Sequence, residues 1–279
     1  MKIRDLDLNG MTYRCRELGD GEPVLLLHGF PETSAMWGGL MSSLAEAGYQ
    51  CVAPDQRGYS PGARPASVDA YRYEELGGDV FAFASAFGWE RFHLIGHDWG
   101  AGAGWCALAI DESPVASWTA MSVGHYRPFA KAVRDDPDEE LYRGFLNGIN
   151  DDLAAVMSAD DCALLKGIWI GGPEEIEDYV SVFRDPAAVD AALNWYRACR
   201  MHMRCLEDDS FVFRPVTAPT LFLWGANDPY VRRTSAEGAS SHMQGPYRFV
   251  ELDTGHWLIQ EKPDEVGAEI LSHLKENAI

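Results

Sequence analysis

The sequence predicts an α/β fold with a mostly parallel, eight-stranded sheet that is interrupted by a helical insertion. The continuous apolar run Val24-Leu25-Leu26-Leu27 is typical of a strand buried on both faces. Strand-like and helix-like segments then alternate, which indicates parallel strands joined by crossover helices. After Val123 this alternation stops, and it resumes at Thr220.

The elements can be assigned in chain order. Short alternating runs broken at Asn9-Gly10 predict a hairpin of two strands at the sheet edge. Pro263 fits the first turn of a terminal helix. The remaining predicted strands cover 24–27, 50–53, 92–95, 116–123, 220–224 and 247–252, and the predicted helices cover 35–47, 73–87, 101–110, 232–241 and 263–276.

The stretch between the two halves of the sheet has a different character. Residues 125–212 contain several amphipathic helical segments and no convincing buried strand. We therefore expect a core domain formed by residues 1–124 and 213–279, with a helical cap domain at 125–212.

Composition excludes several classes of function. The 279 residues carry a formal net charge of −20, which repels nucleic acid and anionic membrane surfaces. There is no signal-peptide pattern and no apolar run of about 18 residues, so we expect a soluble, cytoplasmic protein. The cysteines lack metal-ligand spacing, which predicts free thiols and no bound metal. We also expect no cofactor, and the sequence leaves open whether the chain forms a homodimer. These cysteines are Cys15, Cys51, Cys106, Cys162, Cys199 and Cys205.

The motif Gly96-His97-Asp98-Trp99-Gly100 lies between an apolar strand and a helix rich in small residues. This is the context of the strained nucleophile elbow G-x-S-x-G, with aspartate in place of serine. By itself such a motif is weak, because an aspartate at a helix N-terminus is often only a cap. The context predicts that Asp98 is a nucleophile in an α/β-hydrolase fold.

Two further residues follow in the order that this architecture requires, nucleophile, then acid, then histidine. Asp228 lies in the loop after the strand at 220–224, and His256 follows the last strand. Both loops open at the sheet edge where ligands bind in α/β folds. We expect Asp228 to orient the imidazole, and we assign the neighbouring Asp253 a structural role.

An aspartate nucleophile suits displacement at a saturated carbon, because its carboxylate is already ionised at neutral pH. The resulting alkyl ester is then hydrolysed by water that His256 activates. The backbone N–H groups of Phe30 and Trp99 are expected to form the oxyanion hole. His28 ends a buried strand and is expected to fix the loop that carries Phe30.

These motifs together resemble those of the soluble epoxide hydrolases, and the haloalkane dehalogenases share the core. The resemblance spans nearly the whole chain. It rests on His28-Gly29-Phe30-Pro31, Asp55-Gln56-Arg57-Gly58-Tyr59-Ser60, Gly96-His97-Asp98-Trp99-Gly100, Gly255-His256-Trp257 and Glu261-Lys262-Pro263. It implies an enzyme that opens small apolar epoxides with water, and it implies substrate contacts from Phe30, Trp99 and Trp195.

The cap distinguishes these two families. Asn194-Trp195-Tyr196-Arg197 is similar to the epoxide hydrolase segment that carries one of two ring-opening tyrosines, which makes Tyr196 a candidate donor to the epoxide oxygen. A phenol is useful because the alkoxide is a poor leaving group. For the second tyrosine, Tyr142 is favoured over Tyr126, although Leu146 stands where the family usually has an aromatic residue. Tyr196 could instead be a packing residue of a cap helix, and either Tyr142 or Tyr126 could be a surface residue.

Two alternative functions remain open at this point. A dehalogenase would use Trp99 to hold the departing halide, with Trp169 or Trp195 as the second indole, but Phe30 replaces the asparagine that many dehalogenases carry. A non-catalytic protein that binds a small ligand is the third reading, and the complete set of nucleophile, acid and base argues against it.

Overall fold

The computed structural model describes residues 1–135, 140–150, 152–202 and 213–279, without the side chains of 140–143 and 199–202. Eight strands form one sheet in the order β1-β2-β4-β3-β5-β6-β7-β8. All neighbouring pairs are parallel except β1 with β2 and β2 with β4. The strands are β1 Lys2–Leu8, β2 Met11–Leu18, β3 Glu22–Leu27, β4 Tyr49–Pro54, β5 Phe92–His97, β6 Val115–Met121, β7 Thr220–Gly225 and β8 Tyr247–Leu252.

The predicted hairpin is confirmed at the edge of this sheet. Asn9 and Gly10 join β1 to β2 with φ angles of 54° and 77°. Positive φ at both central residues is what a tight two-residue hairpin turn requires, and asparagine followed by glycine supplies it at low cost. The central strands β3, β5, β6 and β7 are almost fully buried, as their continuous apolar runs predict.

Helices of the core pack on this sheet in pairs, α1 with α11 and α2 with α3. Helix α3 begins at Trp99, directly after the proposed nucleophile and two residues earlier than predicted. The terminal helix α11 begins at Pro263, as predicted. The core helices are α1 Gly38–Glu46, α2 Tyr73–Ala86, α3 Trp99–Ile110, α9 Arg233–Gly238, α10 Leu258–Glu261 and α11 Pro263–Glu276.

Between β6 and β7, the described part of the chain is helical. Helix α6 is interrupted, because Asp160, Asp161 and Cys162 have φ between 49° and 61°. Helix α4 packs against α9 of the core, and α8 packs against α6 and α7. The helices are α4 Tyr126–Asp135, α5 Glu140–Gly148, α6 Leu153–Lys166, α7 Pro173–Phe183 and α8 Pro186–His202. The domain boundaries at 124 and 213 stay a prediction.

The inserted helices dock on the core through polar contacts as well as apolar ones. Asp178 on α7 accepts hydrogen bonds from Arg14 at 3.0 Å, Arg16 at 2.5 Å and the Thr33 hydroxyl at 2.6 Å. Side chains of the two arginines are partly buried, so these charges meet in a medium less polar than bulk water. The contacts fix α7 over the loop that follows β3.

One further docking contact reaches a buried ion pair. The indole N–H of Trp195 on α8 donates to the carbonyl of Arg57 at 2.8 Å. The Arg57 guanidinium forms two hydrogen bonds to Asp79, at 2.7 and 2.8 Å, in the core. A paired, doubly hydrogen-bonded guanidinium satisfies the charge that burial would otherwise penalise. None of the described helices is long and apolar enough to cross a membrane.

Candidate active site

Asp98 occupies the sharp turn between β5 and α3, with φ 52° and ψ −117°. A residue other than glycine with positive φ is strained by roughly 1–3 kcal/mol, and such strain clusters at functional sites. The turn places the Asp98 carboxylate at the carboxyl edge of the parallel sheet. The residue is neither fully buried nor fully exposed.

The two glycines of the elbow are required by close approaches of the backbone. A β-carbon added to Gly96 would lie 2.4 Å from the carbonyl oxygen of Gly100. A β-carbon added to Gly100 would lie 2.0 Å from the carbonyl oxygen of Leu27 in β3. Both distances are shorter than nonbonded atoms tolerate. The spacing of the motif is therefore explained by the tightness of the turn.

His256 connects two carboxylates. Its Nδ1 lies 2.7 Å from Oδ2 of Asp228, and its Nε2 lies 3.4 Å from Oδ2 of Asp98. The other oxygen of Asp228 accepts the backbone N–H groups of Tyr230 and Val231, at 2.8 and 3.0 Å. Because Asp228 is held at both oxygens, it fixes the orientation of the imidazole.

The acid predicted from strand order is therefore the one that contacts the histidine. Asp253, which lies nearer to His256 in sequence, is exposed and accepts a hydrogen bond from the Asn227 side chain at 2.9 Å. This contact bridges the loops that follow β7 and β8. It supports the structural role assigned to Asp253.

The charges of these groups are strongly coupled. Burial by itself would lower the pKa of His256, but the charge and hydrogen bond of Asp228, together with those of Asp98, raise that pKa to about 10. Burial would raise the pKa of Asp98, but His256 and the Phe30 N–H, among others, hold it below its ordinary value. At neutral pH the arrangement is an imidazolium between two carboxylates.

Backbone donors surround the Asp98 carboxylate. The N–H of Phe30 donates to its Oδ1 at 2.8 Å. Trp99 is the first residue of α3, so its N–H has no acceptor within the helix and the helix dipole favours negative charge there. His28 holds the Phe30 loop: its Nε2 accepts the N–H of Gln56 at 3.0 Å, and its Nδ1 donates to the Gly29 carbonyl at 2.9 Å.

Four supporting residues were not predicted from the sequence. The carbonyl of His256 accepts hydrogen bonds from Ser122 Oγ at 2.6 Å and from His97 Nε2 at 2.9 Å. His97 Nδ1 in turn lies 3.2 Å from Glu32, which is bonded by Gln260. His97 stands inside the nucleophile motif, and Glu32 directly follows His28-Gly29-Phe30-Pro31. This adjacency to the motifs is the sequence signal that could have indicated His97 and Glu32.

A cavity of about 280 Å³ opens beside the Asp98 carboxylate. This volume is near the lower limit for pockets that bind small molecules. Its lining is apolar apart from the catalytic groups and two tyrosines. The described residues that line it are Phe30, Pro31, Asp98, Phe145, Met157, Leu164, Leu165, Ile168, Tyr196, Tyr230, His256 and Trp257.

The candidate cap residues have different fates. Tyr196 lines this cavity, with its ring edge-on to Phe30 and Trp99 at centroid distances of 5.5 and 5.0 Å. The side chain of Tyr142, on α5, lies outside the described part of the structure. The alternative, Tyr126, instead lines a smaller neighbouring cavity that also reaches Asp98.

Trp195 departs from its expected role as a substrate contact. Of the cavities beside Asp98, neither the larger nor the smaller is lined by Trp195. Its ring packs edge-on against Tyr59 and Trp99, and its N–H is bonded to the Arg57 carbonyl. Through these contacts the indole packs α8 against the core. Trp195 therefore anchors the helix that carries Tyr196.

Metal ligands are a separate question. Within the described ranges, no three His, Cys, Asp or Glu side chains are grouped closely enough to hold a metal ion. The thiols of Cys15, Cys51 and Cys162 are buried and free, and Cys106 is buried as well.

Comparison with known proteins agrees with this geometry. Residues 22–263 match the family described as alpha/beta hydrolase fold. Epoxide hydrolase A of Mycobacterium tuberculosis is 32% identical, with 97% of this chain and 96% of that protein covered. An AB hydrolase superfamily protein of Bacillus subtilis, YfhM, is 29% identical, with 99% and 98% covered.

Solved structures give the same result. Epoxide hydrolase A from Mycobacterium thermoresistibile is 28% identical, with a TM-score of 0.77 over 100% of this chain and 99% of that one. An epoxide hydrolase structure from metagenomes of hot environments is 26% identical, with a TM-score of 0.85 over 98% of each chain. The chain therefore belongs to the α/β-hydrolase fold family and is an epoxide hydrolase-like hydrolase.

Proposed function

We propose that this enzyme hydrolyses epoxides to vicinal diols through a covalent ester on Asp98. The observation that carries the proposal is that a carboxylate nucleophile, an imidazole and the phenol of Tyr196 line one apolar cavity. Attack at a saturated carbon needs the first group, ester hydrolysis needs the second, and the departing alkoxide needs the third. The epoxide hydrolases among the relatives support the same choice.

In the first step, Oδ2 of Asp98 attacks a ring carbon of the epoxide. Oδ1 stays bound to the N–H of Phe30, which leaves the oxygen that faces His256 as the nucleophile. The carbon–oxygen bond of the ring breaks, and the alkoxide takes a proton from the Tyr196 hydroxyl. The product is a neutral alkyl ester with a free hydroxyl group on the neighbouring carbon.

In the second step, water attacks the carboxyl carbon of the Asp98 ester while His256 takes its proton. The imidazolium must first lose the proton that it holds in the resting enzyme. This proton replaces the one that Tyr196 gave to the alkoxide. The oxyanion at Oδ1 is stabilised by the N–H groups of Phe30 and Trp99. Collapse of the intermediate breaks the ester bond, and the departing alkoxide takes the proton from His256 to give the diol. The second proton of the water then passes from the Asp98 carboxyl group to His256, which restores the carboxylate and the imidazolium.

A second phenol would share the work of Tyr196 during ring opening. The resemblance to epoxide hydrolases implies Tyr142, on α5, and we retain it as the candidate. Helix α5 also carries Phe145, whose ring lies 5.0 Å from that of Tyr196 in the lining of the cavity. Phe145 supports the placement of α5 beside the reacting centre.

Halide displacement is the second candidate function, and one observation favours it. Among the described residues, the indole N–H of Trp99 is buried and has no hydrogen-bond partner. However, the two candidates for a second halide donor are both engaged elsewhere. Trp169 donates to the Pro31 carbonyl at 2.8 Å, and Trp195 donates to the Arg57 carbonyl. Neither of these two indoles can therefore donate to a halide, while the phenol of Tyr196 lines the cavity beside Asp98, which favours the epoxide. The indole N–H of Trp257, in the lining of the same cavity, is a second donor without a partner among the described residues.

The proposal is tested by measuring diol and halide release separately from a panel of epoxides and haloalkanes. We expect diol from epoxides, and Tyr196→Phe should reduce the alkylation rate by about 100-fold or more while leaving any halide displacement unchanged. Tyr247→Phe, on β8 and outside both cavities, is the matched control. Halide without diol would reverse the choice of function.

The covalent step has its own test. The His256→Ala variant should form the ester but not hydrolyse it, so intact-mass spectrometry should show the protein heavier by one molecule of epoxide. The double variant with Asp98→Asn should keep its original mass. An unmodified mass for His256→Ala, after exposure to an epoxide that the parent enzyme converts, would refute the ester on Asp98.

A further inference from the structure

Two cavities of very different size meet at the catalytic residues. The larger, of about 280 Å³, and the smaller, of about 30 Å³, both touch Asp98, His256 and Tyr230. Their other described lining residues are all different. Tyr230 therefore stands at the border between them, with its ring edge-on to the His256 imidazole at 5.3 Å.

The small cavity is bordered by buried side chains. Its remaining described lining consists of Trp99, Gly102, Val123, Tyr126, Phe129 and Val231. Apart from the glycine, these residues are at least nine-tenths buried, from 2% exposed for Val231 to 7% for Trp99. A space of this size accommodates roughly one or two groups as large as a water molecule. A hydrogen atom or a methyl group fits there, and a longer chain does not.

The large cavity reaches the surface at the end of α6. Leu164 and Ile168 line it and are also 52% and 36% exposed. Val156 and Ile170, on the same stretch of chain, are exposed as well. Single exposed apolar residues are ordinary, but a cluster of them at the mouth of an apolar cavity marks a binding surface. We call Leu164 and Ile168 the apolar mouth.

We propose that the preferred substrates are epoxides with one long apolar substituent on one ring carbon and only hydrogen or methyl on the other. The ring sits at Asp98, the small end enters the 30 Å³ cavity, and the long arm follows the large cavity past the apolar mouth. Tyr230 is the wall that enforces this asymmetry. The inference rests on the proposed epoxide hydrolysis and adds a substrate class to it.

The test uses three isomers that differ only in where the ring lies along the chain. These are 1,2-epoxydecane, trans-2,3-epoxydecane and trans-5,6-epoxydecane, with styrene oxide as a fourth substrate. We expect kcat/KM for diol formation to fall at least tenfold from the 1,2 to the 5,6 isomer, with the 2,3 isomer between them. Equal values for the three isomers overturn the substrate class while leaving epoxide hydrolysis standing.

The remaining outcomes are also distinct. Diol from styrene oxide without diol from any decane isomer overturns the long-arm substrate class alone. No diol from any of the four epoxides overturns the proposed function, and the inference falls with it.

Variants at the wall separate its size from its hydroxyl group. Tyr230→Ala should join the two cavities and raise the kcat/KM of the 5,6 isomer relative to the 1,2 isomer by at least tenfold. Tyr230→Phe keeps the ring and should leave this ratio unchanged. A ratio that does not move in Tyr230→Ala, or that moves equally in both variants, contradicts the role of the ring as a wall.

Variants at the mouth test the path of the long arm. Leu164→Asp should raise the KM for 1,2-epoxydecane at least fivefold and leave the KM for 1,2-epoxybutane unchanged, because only the longer substrate reaches the surface. Ile3→Asp places the same change at another exposed apolar residue, on β1, and should alter neither KM. An equal effect of Leu164→Asp on both substrates would refute this path.

Discussion

The two steps of the proposed mechanism, alkylation of Asp98 and hydrolysis of the ester, should depend differently on pH. The reason is that alkylation removes the negative charge of Asp98, which helps to hold the proton on His256. In the resting enzyme the pKa of His256 is about 10, since the charges of Asp228 and Asp98 outweigh its burial. Esterification turns the Asp98 carboxylate into a neutral group, while Asp228 stays 2.7 Å from Nδ1. The pKa of His256 must therefore fall in the ester.

The size of this fall follows from the distance between the charges. His256 Nε2 and Asp98 Oδ2 are 3.4 Å apart, so with an effective dielectric constant of about 20 their attraction is roughly 5 kcal/mol. This attraction is an upper limit to the effect of Asp98 on the pKa of His256, because Asp228 makes the larger contribution to the raised value of about 10 and keeps its charge in the ester. The pKa of His256 in the ester therefore lies below about 10, closer to what a general base at neutral pH needs.

Stopped-flow single turnovers between pH 5 and 9 can separate the steps. Trp257, with its ring 5.2 Å from the His256 ring, is a fluorescent reporter at the site. The alkylation rate should be constant across this range, because Asp98 is ionised throughout. The hydrolysis rate should rise with pH, by about tenfold per pH unit at the acid end, and level off where His256 loses its proton in the ester.

The control is a set of buffers at constant ionic strength, so that the screening of exposed charges stays the same along the pH series. Two results would refute the reasoning. One is a hydrolysis rate that does not change between pH 5 and 9. The other is an alkylation rate that follows the same apparent pKa as hydrolysis, because the loss of the Asp98 charge would then have no effect on His256.

Three further predictions concern stability, measured by urea denaturation. Gly100→Ala should lower the free energy of unfolding by more than about 3 kcal/mol, because its β-carbon would overlap a β3 carbonyl; Gly39→Ala, with open space around it, should be neutral. Asp79→Asn should cost up to about 3–5 kcal/mol, because the buried Arg57 guanidinium would keep only the exposed Glu75, at 3.4 Å, as a charged partner. Trp195→Phe should cost about 1–3 kcal/mol, since the Arg57 carbonyl loses its donor. A loss below 0.5 kcal/mol would contradict the corresponding contact.

The parts that could be predicted from the sequence are those whose signal is local. The apolar run of β3, the Asn9-Gly10 turn and Gly96 each have a physical cause within a few residues. The order of nucleophile, acid and histidine then follows from the parallel sheet, because every such strand ends at the same edge. Asp253 also follows a strand at this edge, so the preference for Asp228 rests on its place after β7, one strand before the histidine.

The parts that could not be predicted depend on contacts between distant segments. Tyr230 lies in an irregular loop, where no periodicity indicates the direction of a side chain. The resemblance to epoxide hydrolases implied a substrate contact from Trp195, yet Trp195 and its neighbour Tyr196 point in different directions, as successive residues of a helix do. Its partner, the Arg57 carbonyl, is 138 residues away, and nothing in the local sequence signals that pairing.

The division of labour between core and inserted helices explains why this anchoring matters. The core supplies the charges, through Asp98, Asp228 and His256, and holds them with backbone donors. In the proposed mechanism, ring opening also needs the phenol of Tyr196, which lies on α8, outside the core. A phenol displaced by 1 Å loses much of its catalytic effect. Trp195 precedes Tyr196 on α8, and its hydrogen bond to the Arg57 carbonyl therefore couples the position of the proton donor to the buried ion pair of the core.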